Sequence, residues 1–341
     1  MMNDYIKKVM AGQNLSVEEA TAAMNQLMSG KVTDAQIGSY LTALHMKGET
    51  IEEITGSAKG MREQCLRLQT EGDVLDIVGT GGDCTNTFNI SSVAALVIAA
   101  AGVPVAKHGN RSVSSKCGSA DVLEALGVKL ELTKEQNEEV LRRTGICFMF
   151  APVYHSAMKY VGRARREIGV RTIFNILGPL ANPAYANLQV MGVYSEDLVE
   201  PLAKVLCNLG VKRGMVVHGE DGVDEVSICG KTKVSEVRNG QVRSYTISPL
   251  ELGISMAKPE EIKGGLADEN KAIALGILKG ERGPKRDIVL MNVAVALYIA
   301  LDNKSLIECA QLAAQMIDSG KALAKLQEFV EVTQNVAQMA T

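Results

Sequence analysis

Two segments near the middle of the chain carry side chains that could hold an anion. The first is Gly79-Thr80-Gly81-Gly82-Asp83, which follows an apolar run and precedes Asn89-Ile90-Ser91-Ser92 at the start of an alanine-rich stretch. Glycines let a backbone approach an anion, and the first N–H groups of a helix favour negative charge. This arrangement predicts a phosphate cradle, although it lacks the spacing of the G-x-G-x-x-G and G-K-[ST] motifs. A plain tight turn is the alternative.

The second segment is the polar run from Lys107 to Ser119, which contains three cations, four serines, one Asn and one His. Cations neutralise phosphate charge, and hydroxyls and backbone groups add directional hydrogen bonds. The run follows a short apolar strand pattern at 103–106, and open α/β sheets bind their ligands at strand ends. We therefore expect it to join the phosphate site, with a solvated surface loop as the alternative.

An adjacent acidic pair, Asp224-Glu225, follows another β-rich run at 215–218. Hard oxygen ligands beside phosphate groups suit magnesium. The pair therefore predicts a metal site, and a solvated acidic turn is the alternative.

The rest of the pattern predicts the elements that position these residues. Three capping boxes begin helices in the first 60 residues, at Ser16/Glu19, Thr33/Gln36 and Thr50/Glu53. From Val74 onward β-rich runs alternate with helical ones, which favours an α/β fold with a mostly parallel sheet. Asn239-Gly240 predicts a hairpin within 232–247, and the chain from about 287 to 336 is expected to be helical. The other predicted strands are 103–106, 147–150, 188–194, 215–218 and 225–229.

Composition excludes several classes of protein. The 341 residues suit one large domain and a smaller one. A net charge of −3 gives no basic footprint for nucleic acid, and the apolar run at 93–105 is too short to cross a membrane. Seven scattered cysteines without a C-x-x-C pair, and no signal-peptide pattern at the start, predict a reducing cytoplasm.

Five blocks together resemble the anthranilate phosphoribosyltransferase family, in order and spacing, across nearly the whole chain. They are GTGGD at 79–83, TFNISS at 87–92, KHGNRSVSSKCGSADVLEALG at 107–127, RTIFNILGPLANPA at 171–184, and Asp224-Glu225. The resemblance implies transfer of the phosphoribosyl group of 5-phosphoribosyl 1-pyrophosphate to the amine of anthranilate. The products would be N-(5-phosphoribosyl)anthranilate and pyrophosphate, in tryptophan biosynthesis.

The resemblance also implies a small α-helical domain and a large α/β domain, with the active site in the cleft between them. Residues 1–70 and a mid-chain segment at about 168–190 would form the small domain. Residues 71–167 and 191–341 would form the large one. A homodimer through the small domain is implied as well.

Site residues follow from the resemblance, position by position. Magnesium, two ions per subunit, would be held by Ser91, Asp224 and Glu225. Anthranilate would be held by Gly79, His108, Asn110 and Arg165. Phosphoribosyl pyrophosphate would be held by Gly79, Gly82, Asp83, Thr87, Asn89, Ile90, Ser91, Ser92, Lys107, Ser115 and Ser119.

No Ser-His-Asp or paired-carboxylate arrangement is discernible, and none is needed, since the amine of anthranilate is already a neutral nucleophile near pH 7. Catalysis is expected to rest on positioning and on stabilising the departing pyrophosphate. A pyrimidine nucleoside phosphorylase and a non-catalytic nucleic-acid-binding relative share the fold and remain alternatives. Asn110 and the Asp224-Glu225 pair favour the transferase.

Overall fold

Four helices open the chain, and side-chain caps set where they begin. The computed structural model describes residues 2–112 and 116–338. Ser16, Thr33 and Thr50 each accept a hydrogen bond from the N–H three residues on, so the three predicted capping boxes are confirmed. The helices are α1 (Met2–Met10), α2 (Val17–Met28), α3 (Asp34–Lys47) and α4 (Ile51–Glu63).

A seven-stranded sheet forms the centre of the remaining chain. Its order is β3-β2-β1-β4-β5-β6-β7, and the first five strands are parallel. The predicted fold class, a helical unit joined to a mostly parallel α/β unit, is confirmed. The strands are β1 (Leu75–Gly79), β2 (Val105–Gly109), β3 (Ile146–Phe150), β4 (Leu188–Gly192), β5 (Arg213–Gly219), β6 (Thr232–Arg238) and β7 (Gln241–Ile247).

Alternate residues of the central strands enter two different cores. Val190 lies with the long helices on one face of the sheet, whereas its neighbour Met191 lies with the N-terminal helices on the other. The further helices of the described ranges are α5 (Ile90–Ala100), α6 (Ser119–Ala125), α7 (Lys134–Thr144), α8 (Ala151–Tyr154), α9 (Lys159–Ile168), α10 (Phe174–Leu180), α11 (Val199–Asn208), α12 (Ala267–Leu278), α13 (Pro284–Ala300), α14 (Leu306–Asp318) and α15 (Lys321–Gln338).

The middle of the chain returns to the N-terminal helices. Helix α9 packs on α2 and α3, and α10 packs on α4. Val161 and Phe174 are buried in the same apolar cluster as Met24. This contact begins before residue 168, and strand β4 already belongs to the sheet from Leu188. The exact domain bounds stay a prediction.

Local patterns predicted the hairpin correctly and one strand wrongly. Asn239 and Gly240 have φ of 53° and 74°, and β6 and β7 pair across them. The β-rich run at 225–229 is not a strand. The side chain of Asn292 pairs with the backbone of Val226 instead, accepting from its N–H at 3.0 Å and donating to its carbonyl at 2.9 Å. No helix among residues 2–112 and 116–338 has the length and apolarity to span a membrane.

Candidate active site

The glycine loop leaves the carboxyl end of β1 and turns sharply. Gly81 and Gly82 have φ of +69° and +74°, which favours glycine. A Cβ on Gly79 would lie 2.3 Å from Asp224 Oδ2, and one on Gly192 would lie 1.6 Å from the Asp224 carbonyl oxygen. The glycines that end β1 and β4 therefore admit Asp224 between them.

Asp224 and Glu225 are each only 9 % exposed and are held by backbone donors. The Gly81 N–H donates to Asp224 Oδ2 at 2.6 Å, and the Ser91 N–H donates to Glu225 Oε1 at 3.2 Å. The acidic pair thus joins the glycine loop to the first turn of α5. Its alternative interpretation, a solvated acidic turn, does not match this burial.

Burial and mutual repulsion raise the pKa values of these carboxyls. Burial raises the pKa of Asp224 to about 7, with the Asp83 carboxylate adding to the rise. Burial raises the pKa of Glu225 to about 8, and Asp224 contributes. A cation would relieve the repulsion between the two buried acids and the half-buried Asp83 beside them.

Lys107 reaches the same place from β2. It is 3 % exposed, and its Nζ donates to Ser91 Oγ at 3.1 Å and to the carbonyl oxygen of Ile77. Burial lowers the pKa of Lys107, and the carboxylates of Asp76, Glu225 and Asp224 oppose that change. A buried cation therefore lies beside the acidic pair.

The start of α5 presents small polar groups to this cluster. The Asn89 side chain does not cap the helix; its Nδ2 donates to the Cys117 carbonyl at 3.1 Å and its Oδ1 accepts from Asn270 at 3.0 Å. The Ser92 hydroxyl is buried and has no partner among the described residues. Asn89 thus ties the helix start to the second polar loop.

That second loop is closed around Asp121, whose Oδ2 accepts from the N–H groups of Ser112 at 3.0 Å and Gly118 at 2.8 Å. Arg111 pairs with Asp121 at 3.1 Å and Glu124 at 2.7 Å, so it is not the open phosphate cation that composition suggested. Ser119 Oγ donates to the Asn110 carbonyl at 3.3 Å. Ser115 lies outside the described residues.

Two buried histidines lie behind the loop. His108 Nδ1 is 3.2 Å from the Gly178 carbonyl oxygen, and its ring centre is 5.0 Å from that of His155. Burial lowers the pKa of His108 to about 3 and that of His155 to about 4, so both are neutral near pH 7. Their Nε2 atoms have no hydrogen-bond partner among the described residues.

The arginines of α9 differ sharply in environment. Arg163 is 71 % exposed and pairs with Glu167 at 2.8 Å. The half-buried Arg165 guanidinium instead lies 4.7 Å from the centre of the Phe174 ring, and burial lowers its pKa. It makes no ion pair or hydrogen bond with any residue in the described ranges. Arg165 is thus a desolvated cation without an anionic partner.

Sequence reasoning left Arg171 without a role. Its Nη2 donates to the Gly82 carbonyl at 2.6 Å, and its guanidinium lies 4.0 Å from the centre of the Tyr194 ring. Its place at the start of the RTIFN block was the available signal. A cavity of about 670 Å³ lies at the opposite end of the sheet, where β4 and β5 begin.

Comparisons with known proteins agree with this geometry. A model described as "Glycosyl transferase family, a/b domain" matches residues 71–323, and one described as "Glycosyl transferase family, helical bundle domain" matches residues 3–65. The anthranilate phosphoribosyltransferase of Ruminiclostridium cellulolyticum is 56 % identical over 99 % of both chains. That of Endomicrobium trichonymphae is 55 % identical over 98 % of this chain and 99 % of its own.

Solved structures extend the likeness to the whole fold. The Thermus thermophilus anthranilate phosphoribosyltransferase has a TM-score of 0.92 at 45 % identity, covering 97 % of this chain and 99 % of its own. The Saccharomyces cerevisiae enzyme, solved "in complex with PRPP and Mg", has a TM-score of 0.90 at 27 % identity, covering 98 % of both chains. The chain therefore belongs to the anthranilate phosphoribosyltransferase family.

Proposed function

We propose that this protein transfers the phosphoribosyl group of 5-phosphoribosyl 1-pyrophosphate to the amine of anthranilate, in tryptophan biosynthesis. One observation carries the proposal. The glycine loop, the start of α5, Lys107 and the Asp224-Glu225 pair meet at the carboxyl ends of the parallel strands. That edge of an α/β sheet is where ligands bind, and this mixture of donors and acids suits a pyrophosphate with its metal.

The donor would lie across the glycine loop and the first turn of α5. Backbone N–H groups, the helix dipole and Lys107 supply positive potential there. The donor-binding residues proposed are Gly79, Gly82, Asp83, Thr87, Asn89, Ile90, Ser91, Ser92, Lys107, Ser115 and Ser119.

Magnesium fits the acidic pair. A cation would relieve the repulsion between Asp224, Glu225 and the nearby Asp83. The described residues contain no group of three or more His, Cys, Asp or Glu side chains in a metal-binding arrangement. This agrees with magnesium, which typically takes one or two carboxylates and completes its shell with phosphate and water oxygens. We assign Ser91, Asp224 and Glu225 as its protein ligands, with two ions per subunit.

The acceptor pocket is assigned to Gly79, His108, Asn110 and Arg165. The Arg165 guanidinium has no anionic partner among the described residues, so the carboxylate of anthranilate could form an ion pair with it. His108 is buried and neutral, so it offers the ring of anthranilate an uncharged surface.

The chemistry needs no strong base. The amine attacks the anomeric carbon as the bond to pyrophosphate breaks, so the positive charge that develops on the sugar passes to the amine nitrogen. The nitrogen then loses its proton to water or to the departing pyrophosphate. Magnesium, when bound, would neutralise the leaving group. The protein's own share is positioning by Arg165 and the glycine loop, and positive potential from Lys107 and α5.

A homodimer through the helical unit and a cytoplasmic location are part of the proposal. Met10 at the end of α1 and Met46 in the last turn of α3 are 70 % and 82 % exposed. Apolar side chains this exposed support a contact surface there. A Met46→Glu variant should elute later than the wild type in gel filtration if that surface is the dimer contact.

An assay of anthranilate fluorescence tests the proposed reaction. Purified protein with phosphoribosyl pyrophosphate and magnesium should consume the fluorescence, and omission of either should stop it. Parallel reactions with thymidine or uridine and inorganic phosphate test the phosphorylase alternative. Release of free base in those reactions, with no loss of anthranilate, would overturn the proposal.

A further inference from the structure

We propose that Arg171 is a positioning residue for the phosphoribosyl donor, linking the helical unit to the glycine loop through the Gly82 carbonyl. The bond joins residues 89 positions apart in the chain. The inference rests on the proposed donor site, because it concerns the conformation of the loop that would hold the donor.

The backbone at Arg171 is fixed from the helical side. Helix α9 is followed by Gly169, which has φ of +68°, and the Thr172 N–H donates to Asn175 Oδ1 at 2.9 Å. Phe174 then enters the apolar cluster of the N-terminal helices. The Arg171 side chain therefore extends from the helical unit toward the sheet.

On the other side, Arg171 and Tyr194 hold both parts of the glycine loop. The Tyr194 N–H donates to Thr80 Oγ1 at 3.2 Å, and the Thr80 N–H donates to the Gly192 carbonyl at 3.0 Å. The guanidinium stacks on the Tyr194 ring while it donates to Gly82. A planar guanidinium can lie flat on the ring while its edge donates, whereas an ammonium is a point charge without a flat face to stack.

The bond to the Gly82 carbonyl also fixes the direction of a hydrogen-bond donor, the N–H of Asp83. A trans peptide is planar, so the Asp83 N–H points opposite to the Gly82 carbonyl and away from Arg171. That N–H has no hydrogen-bond partner among the described residues. The space around Gly81 and Gly82 is open, since among the described residues, chain neighbours aside, only Arg171 Nη2 lies within 4 Å of either Cβ position, so Arg171 supplies the restraint on this peptide. An anion site requires backbone N–H groups that are held pointing toward the anion.

The guanidinium also adds charge. Arg171 has no carboxylate partner among the described residues, so its positive charge is not neutralised locally. A direct phosphate contact by Arg171 is a different role, and the variants below separate the two.

The experiment compares Arg171→Ala and Arg171→Lys with Arg166→Ala, an exposed arginine of α9. Loss of a charge-assisted bond to the loop should raise KM for phosphoribosyl pyrophosphate about tenfold or more. KM for anthranilate should change less than about twofold, and Arg166→Ala should leave both constants unchanged. Arg171→Lys should recover only part of the loss, because an ammonium cannot lie flat on the Tyr194 ring as the guanidinium does.

Tyr194 variants distinguish positioning from a direct charge contact. Tyr194→Phe keeps the ring and should behave as wild type. Tyr194→Leu should reproduce part of the Arg171→Ala defect, and the double variant should be no worse than Arg171→Ala alone. Hydrogen exchange without substrate should show faster exchange of the hydrogen-bonded Thr80 and Gly81 amides in Arg171→Ala and in Tyr194→Leu.

Three results would overturn the inference: an unchanged donor KM in Arg171→Ala, full rescue by Lys, or full additivity with Tyr194→Leu. A wild-type protein without transferase activity would instead refute the proposed function. The exchange measurement reports on the loop in either case.

Discussion

Lys107 Nζ lies 3.1 Å from Ser91 Oγ, so a buried cation of β2 touches the first turn of α5. The helix N-terminus carries partial positive charge of its own. Two sources of positive potential therefore meet at one serine, and the N–H of that serine donates to Glu225. The site holds both the charge that attracts pyrophosphate and the acids that suit its metal.

Removal of the Lys107 charge should weaken donor binding. Lys107→Met keeps much of the buried stem but leaves no cation beside Ser91, so we expect the Kd for phosphoribosyl pyrophosphate to rise at least about tenfold. Calorimetry with magnesium present measures it. Lys116→Met removes an exposed lysine of the same polar loop and should change the Kd little. Equal effects of the two variants would contradict the role assigned to Lys107.

Neutralising the acidic pair should abolish the response to magnesium. We expect Asp224→Asn with Glu225→Gln to lower kcat about a hundredfold, as loss of a charge-stabilising group does. Titrating activity with magnesium chloride measures both the loss and any remaining dependence. The matched control is Glu260→Gln with Glu261→Gln, an adjacent acidic pair that is exposed. Full activity of the first double variant, or of wild type in chelator, would falsify the metal assignment.

The loop glycines can be tested against a glycine of the same conformation. Gly82 and Gly72 have φ of +74° and +75°, and neither has atoms crowding the place of a Cβ. Alanine at either position should cost about 1 kcal/mol of folding stability, because positive φ strains a side chain. Only Gly82→Ala should also weaken donor binding, measured by calorimetry. The prediction fails if Gly72→Ala has the same effect on donor affinity.

Arg165 should control the acceptor. Arg165→Ala leaves a carboxylate unpaired in a partly dry pocket, so we expect KM for anthranilate to rise at least about tenfold and donor KM to change little. Arg163→Ala and Arg166→Ala are the controls, since both arginines are exposed. Initial rates with each substrate varied in turn measure the two KM values. If Arg165→Ala left KM for anthranilate unchanged, the carboxylate of anthranilate would bind at another residue.

The two buried histidines should make stability depend on pH. Burial depresses the pKa of His108 and His155 to about 3 and about 4, against 6.5 for an unburied imidazole. Below pH 6.5 the unfolded chain binds protons that the folded chain excludes, so stability falls as pH drops toward 4. At pH 5 each histidine should account for about 1–2 kcal/mol of lost stability relative to pH 7.

Urea unfolding at pH 7 and pH 5 measures that loss. His155→Gln cannot titrate, so the difference between the two pH values should shrink. His45 is exposed, and His45→Gln should leave the difference as in wild type. An equal difference in all three proteins would show that His155 is not the titrating group.

Local sequence predicted what depends on near neighbours. The capping boxes of Ser16, Thr33 and Thr50 and the turn at Asn239-Gly240 involve residues at most three positions apart, and all formed. The parallel sheet followed from the alternation of elements. These features need only backbone geometry and a short-range partner.

Features that depend on distant partners were not predictable. Composition made Arg111 a candidate phosphate cation, but Asp121 and Glu124 on α6 neutralise it. The run at 225–229 has strand-like residues, yet the side chain of Asn292 takes the place of a neighbouring strand. The need for glycine at position 79 also depends on a distant residue, because Asp224 lies where a Cβ of residue 79 would be.

The close approach of Asp224 to Gly79 and Gly192 also constrains the order of assembly. Asp224 and the Gly81 N–H that it accepts from are 143 residues apart, so the contact closes a long stretch of chain. The Asp224 carboxylate can reach its position only after β1 and β4 have paired, because that position lies between the glycines that end those two strands. During refolding, helical circular dichroism should therefore recover before magnesium-dependent activity, as is usual for contacts between distant residues.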